Sequence, residues 1–142
     1  MNIAFFLKPK SQVAYLLEGS SFRQGLEKLQ RSGHASLPVI SRDGRYLGCI
    51  SEGDLLWNIM SMGSLETRDL EKARLDEIIS HRNPPVRVTA SVEDLLNRSL
   101  DQNFVPVVDD RDMFMGIVTP RSILTYCVER GVVPASALPE SV

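Results

Sequence analysis

Hydrophobic positions along this chain change their period several times, and the changes come twice in the same order. Residues 3–7 form an apolar run, predicted as a short strand or an irregular packed segment, and Lys8-Pro-Lys-Ser11 breaks it. Residues 12–17 have strand character, and Gly19-Ser-Ser21 supplies a turn and a helix N-cap. Phe22, Gly25, Leu26, Leu29 and Gln30 follow helical spacing, with Arg23, Glu27 and Lys28 on the opposite face and Gly33 as the expected stop. Residues 37–41 and 46–50 read as two strands joined at Asp43-Gly44, a strong hairpin signal. Gly48 within the return strand predicts the close approach of another backbone or of a ligand. Ser51 then caps a helix over residues 52–62. A polar connector, residues 64–72, follows it, and then an apolar turn carrying Leu75, Ile78 and Ile79.

The second half repeats the plan. Residues 86–89 are predicted as a strand, and Ser91 caps a helix carrying Val92, Leu95, Leu96 and Leu100. Strands at 104–108 and 113–118 flank a turn at 109–112, and a last helix runs from Pro120 to about Glu129, stopping at Gly131. Pro38 answers to Pro106, Gly48 to Gly116, Ser51 to Thr119 and Leu56 to Leu124, each pair 68 positions apart. Phe22 and Val92 are 70 apart, so the first helix-to-strand loop is the longer one. A repeat this regular sets the architecture: α/β (α+β), two units of strand-helix-strand-strand-helix. The expected boundaries are 1–72 for the first repeat with its connector, 73–131 for the second, and 132–142 for a loose tail. A repeat of this length buries little surface alone, so the two are expected to share one core.

Composition adds mainly exclusions. With 16 basic and 18 acidic residues the formal charge is −2, which gives no support to a nucleic-acid polymer as partner. No apolar run approaches the ~20 residues of a membrane span. The N-terminal charge follows the apolar run rather than preceding it, so a cytoplasmic location is expected. Cys49 and Cys127, each in an apolar setting, read as buried thiols. His34 and His81 stand far apart, outside metal-ligand spacing, so no metal site is expected. Neither a Gly-rich phosphate loop nor a paired nucleophile and base stands out, and an enzyme is not expected.

Together, the pattern of apolar-Pro-Val-apolar, acidic turn, Gly-apolar-apolar and Ser/Thr, which occurs twice and is completed by x-x-Asp-Leu in the first copy, resembles the cystathionine-β-synthase (CBS) domain. Two in tandem look like a stand-alone CBS pair, or Bateman module, over roughly residues 8–130. The resemblance implies a pseudo-twofold disc with two clefts that bind adenosine nucleotides in many members. It also implies dimerisation through helices, a regulatory role, no catalysis, and no cofactor beyond the regulatory ligand.

Ser51-Glu-Gly-Asp54 is the sharpest candidate site. In the family the Asp at this position receives the ribose hydroxyls, and a carboxylate suits a vicinal diol because it accepts both hydrogen bonds. A capping box, Ser51 with Asp54, accounts for the same two residues. Thr119-Pro-Arg-Ser122 is the second copy and departs from the pattern, with Ser122 in place of the Asp. Arg121 could pair with phosphate, although a solvated surface arginine satisfies the position equally. Carried over from the family, Asp54 would work with Thr89, Ala90, Phe104 and Val105. Arg121 and Ser122 would work with Val13, Ala14, Ala35 and Ser36. The stretches around Val13-Ala14 and Gly33–Val39, with Thr119 and Arg121, are also similar to stand-alone CBS pairs that bind cyclic di-AMP in Gram-positive bacteria. Those carry consecutive arginines where this chain has Pro120-Arg121.

Trp57, Ile59, Met60 and Met62 give the helix after Asp54 more apolar residues than one buried stripe needs, so a homodimer interface is expected there, with Val128, Val132 and Val133 contributing. Two readings of function follow. One is a sensor that binds AMP, ADP, ATP or cyclic di-AMP and passes its occupancy to an unknown target protein. The alternative is a ligand-free dimerisation or protein-interaction module.

Overall fold

The computed structural model describes residues 2–131. A 3₁₀ turn at Ile3–Phe6 leads into β1 (Lys8–Pro9), a second 3₁₀ turn at Lys10–Gln12, β2 (Leu16–Leu17), α1 (Phe22–Ser32), β3 (Ser36–Ile40), β4 (Tyr46–Ser51) and α2 (Glu52–Met62). The connector holds α3 (Thr67–Lys72) and a 3₁₀ turn at Leu75–Ile78. There follow β5 (Val86–Arg87), α4 (Val92–Ser99), β6 (Val105–Val108), β7 (Phe114–Val118) and α5 (Pro120–Glu129). Strand-helix-strand-strand-helix thus occurs twice, as β2-α1-β3-β4-α2 and β5-α4-β6-β7-α5.

The described residues divide into two compact units, one of residues 14–84 and one joining residues 2–13 to residues 85–131. In the first, β2 runs parallel to β3, and β3 pairs antiparallel with β4. Leu16, Phe22, Leu29, Leu37, Val39, Ile50, Leu55, Ile59 and Leu75 form its hydrophobic cluster. In the other, the strand order is β1-β7-β6-β5, and Ile3, Phe6, Val86, Leu95, Val105, Val107 and Val118 form the cluster. Each unit thus has a hydrophobic cluster of its own.

The hairpin registers repeat pair for pair. Leu37 faces Ile50 and Val39 faces Gly48 in the first unit; Val105 faces Val118 and Val107 faces Gly116 in the second. Both glycines have a positive φ, 153° and 150°. Both also admit a backbone from outside their own repeat's hairpin. A Cβ on Gly48 would stand 2.5 Å from the Ser80 carbonyl oxygen, and one on Gly116 would stand 2.1 Å from that of Lys8. The approach that Gly48 predicts is thus a backbone: the N–H and carbonyl of Ser80 exchange two 2.9 Å hydrogen bonds with those of Cys49. Lys8 and Pro9, which read as a break, form a strand on β7 instead, since that edge offers unpaired backbone groups.

Helix ends follow the local chemistry. Ser21, Ser51 and Thr119 each complete a capping box, and Gly33 and Gly63 end α1 and α2 in the left-handed region. Other segments differ from expectation. Of the two readings for residues 3–7, a strand or an irregular segment, the strand does not form, and residues 3–6 make a 3₁₀ turn capped by Asn2. The strands expected over 12–17 and 86–89 shrink to Leu16–Leu17 and Val86–Arg87, because only those residues find a partner strand. Leu100 is the C-cap of α4 and highly exposed rather than part of its buried stripe. Cys49 is buried, whereas Cys127 is only half-buried, on a helix with no fully buried residue.

The packing leaves α2 with two apolar faces. Leu55 and Ile59 enter the core, while Trp57 and Met60 are 66% and 62% exposed, with Leu56 and Met62 beside them. Val132 and Val133 lie outside the described residues, as does the tail.

Candidate functional site

The start of α2 gathers the chemistry of the first unit. Ser36 pairs with Ser51 across the hairpin, and the Glu52 N–H donates to the Ala35 carbonyl at 2.9 Å. Ser51 turns the chain from strand into helix. Its N–H donates to Asp54 Oδ2 at 2.8 Å, and the Asp54 N–H donates to Ser51 Oγ at 3.0 Å. The capping box is therefore formed, and it holds the carboxylate in one rotamer.

A second grip comes from Arg82. Its Nη1 donates to Asp54 Oδ1 at 3.1 Å and its Nη2 to Oδ2 at 2.7 Å, a bidentate fork. The Asp54 side chain is 18% exposed and that of Arg82 54%, so the pair sits at the rim with its carboxylate end sheltered. Partial burial raises the Asp54 carboxyl pKa, but the Arg82 hydrogen bonds and the Ser51 contacts outweigh it and hold the group below its ordinary value. Arg82 is raised, chiefly by its hydrogen bonds to Asp54. Beneath the pair lies the Cys49 thiol, raised by burial against the opposing charge of Arg82.

Arg82 is held in place through its neighbours. Ser80 is bridged to Cys49, and the Tyr46 hydroxyl donates to the Asn83 carbonyl at 2.7 Å. Burial raises the Tyr46 pKa, so that hydroxyl keeps its proton. Arg82 is absent from the candidates read from the sequence. The signal that could have found it is the 70-residue offset of the first strands. β2 and β5 hold equivalent places, Leu16 beside Val39 and Val86 beside Val107. By that offset Val13 and Ala14 correspond to Asn83 and Pro84, and Arg82 adjoins them.

The remaining candidates divide between the units. Thr89 and Ala90 follow β5. They line a groove of about 660 Å³ that also includes Arg87, Asp94 and Arg98. Phe104 and Val105 are buried at the start of β6, where Val105 faces Val118, the residue before Thr119. The structure thus places Ala35 and Ser36 beside Ser51, and Val105 beside the Thr119 turn, each within its own repeat. Val13 falls in the unit of Thr119, Arg121 and Ser122, whereas Ala14 begins the other.

At the start of α5, Ser122 takes the place of Asp54. Its N–H donates to Thr119 Oγ1 at 3.0 Å, and the two hydroxyls lie 2.9 Å apart. Here the cap is complete but carries no charge. Arg121 is exposed at the second position of the helix. The two helix starts share one backbone geometry and differ in chemistry: one presents a carboxylate, the other two hydroxyls. Among the described residues, no cluster of three or more His, Cys, Asp or Glu is placed to hold a metal ion. Nor is any described helix long and apolar enough to cross a membrane.

The CBS-domain family model matches residues 7–61 and again 75–129. Cyclic di-AMP receptor B of Bacillus subtilis (strain 168) is 23% identical over 123 residues, covering 87% of this chain and 84% of that protein. A crystal structure of CbpB in complex with c-di-AMP superposes with a TM-score of 0.83 at 25% identity, covering 91% of this chain and 85% of that one. CbpB of Listeria monocytogenes, also with c-di-AMP, gives 0.76 at 25% identity over 89% of this chain and 93% of that one. CBSX2 in complex with AMP gives 0.74 at 21% identity over 92% and 98%, a likeness of fold. With both repeats matched separately, the chain belongs to the CBS-domain family and is a tandem CBS pair, a Bateman module.

Proposed function

We propose that this CBS pair is a regulatory module that binds an adenosine nucleotide and passes its occupancy to a partner protein. Among AMP, ADP, ATP and cyclic di-AMP, the two CbpB complexes and cyclic di-AMP receptor B favour the last, whereas a carboxylate placed for a vicinal diol favours the mononucleotides, because the 3′-oxygens of cyclic di-AMP are esterified. The observation that carries the reading is the Asp54 carboxylate. It is fixed at a helix start by the Ser51 box, ionised at neutral pH, and shaped to accept the two hydroxyls of a ribose. Arg121 is assigned to phosphate at the other helix start, with Thr119 and Ser122 as hydroxyl donors. The unequal helix starts favour two unequal ligand positions. Occupancy would act by shifting the chain between conformations of different affinity for the partner. No reaction and no further cofactor are assigned to the chain.

Calorimetric titration with AMP, ADP, ATP, cyclic di-AMP and S-adenosylmethionine tests the reading. Binding of at least one is expected, weakened in Asp54→Asn, and absence of all binding at millimolar concentration overturns it. Turnover of any of these nucleotides by the purified protein would contradict the regulatory assignment. Mass spectrometry of whatever small molecule co-purifies identifies the ligand directly.

The second reading, a ligand-free dimerisation module, is favoured by the outer face of α2, where Leu56, Trp57 and Met60 stand exposed together. It predicts that Asp54→Ala costs about 1 kcal/mol through the lost cap and changes no binding. Homodimerisation through this face is compatible with either reading.

A further inference from the structure

We propose that Arg82 is a built-in competitor for the Asp54 carboxylate, a latch that a ribose-bearing ligand must displace. The proposal rests on the assignment of Asp54 to a ligand diol. A carboxylate offers about four acceptor positions on two oxygens. In this structure Oδ2 accepts from the Ser51 N–H and from Arg82 Nη2, while Oδ1 accepts from Arg82 Nη1. A vicinal diol bound by this carboxylate calls on the same two oxygens as the guanidinium fork. The Ser51 bond belongs to the helix cap and stays. The Arg82 bonds are the ones that leave.

The geometry suits release. The Arg82 side chain is 54% exposed, so its head has solvent to swing into. Its backbone remains anchored on both sides, by Ser80 on Cys49 and by Asn83 on the Tyr46 hydroxyl. The latch therefore opens by a side-chain rotation rather than by unpairing the edge of the sheet. With no diol present, the fork keeps the carboxylate from standing unpaired in its sheltered position. The second repeat needs no equivalent, because Ser122 carries no charge to balance.

Adenosine is the suitable probe, since it has the diol but no phosphate to be attracted by an arginine. Its affinity is measured for the wild type and for Arg82→Gln at low and high salt, with AMP on Asp54→Asn as the control for the site. An exposed ion pair is worth up to about 1 kcal/mol, so Arg82→Gln is expected to bind adenosine about 2–5-fold more tightly. Salt screens the latch, so wild-type affinity for this uncharged ligand is expected to rise with ionic strength and that of Arg82→Gln to stay flat. Should Arg82→Gln fail to fold, the salt series on the wild type and on Arg82→Lys, which lacks the fork, decides the question. If adenosine binds both proteins equally at every salt concentration while AMP binding still depends on Asp54, the latch is wrong and the ligand site stands. If neither adenosine nor AMP binds any variant, the site assignment and the latch fall together.

Discussion

Substituting alanine at Gly48 separates two reasons for a glycine, its backbone angle and the space it leaves. Gly48 has φ 153°, and a Cβ there would lie 2.5 Å from both the Ser80 carbonyl oxygen and Ile79 Cγ2. Ordinary contact needs roughly 1 Å more, and a carbonyl paired in a backbone bridge cannot yield it without moving. The bridge consists of two 2.9 Å hydrogen bonds between Cys49 and Ser80, each worth about 1 kcal/mol net. Backbone strain at this sparsely populated φ adds about 1–2 kcal/mol. The sum is about 3–4 kcal/mol, a large share of the ~5–15 kcal/mol typical of whole-protein stability. Gly33→Ala is the control, since its φ of 72° carries the strain but nothing lies within 4 Å of the added methyl. In urea unfolding, Gly48→Ala is expected to lose about 2 kcal/mol more than Gly33→Ala. Equal losses in the two variants would refute the argument from close approach. The same variant loosens the anchor of Arg82, so the Asp54–Arg82 pair should weaken without either residue being touched.

Other expectations follow from the same structure. The Asp54 carboxyl lies below its ordinary value when folded, so its contribution to stability is complete above about pH 4 and is lost as pH falls through the lowered folded pKa. Thermal melts down to about pH 2 should show a shallower acid-side loss in Asp54→Asn than in the wild type. If the exposed face of α2 joins two copies as proposed, Trp57→Asp should lower the sedimenting mass from dimer to monomer while the melting temperature of the monomer changes little. With two cysteines in the chain, Ellman's reagent should find one thiol, Cys127, reacting under native conditions. The other, Cys49, should react only after unfolding, being buried and raised by that burial. Leu75→Ala, at a fully buried position against Gly25 and Leu55, should cost about 2–5 kcal/mol in the urea midpoint analysis.

Local chemistry alone determined most of the elements. Residues 52–62 were expected as a helix and form α2, because Ser51 and Gly63 supply both caps within a few residues of the apolar stripe. The Asp43-Gly44 hairpin, the Gly33 stop and the extent of α5 rest on equally short-range signals. The internal repeat did more, since one offset of 68 residues carried over into matching registers in two separate sheets. Asp54 was legible for the same reason: its residue type and its spacing from Ser51 lie within one helical turn.

What stayed hidden depends on partners distant along the chain. Nothing near Lys8 says that it pairs with Ile117, and nothing near Ser80 says that it bridges to Cys49. The division into units follows from this, with residues 2–13 packing against the later part of the chain. Arg82 escapes a reading of the sequence because its role exists only once Ser80 and Asn83 are pinned to β4, which sets its fork over a carboxylate 28 positions earlier. The sequence by itself determined the repeated architecture and the carboxylate at the start of α2, since both are written in spacings of a few residues. Only the tertiary structure decided that this carboxylate is already engaged, because an ion pair between remote residues is a product of packing.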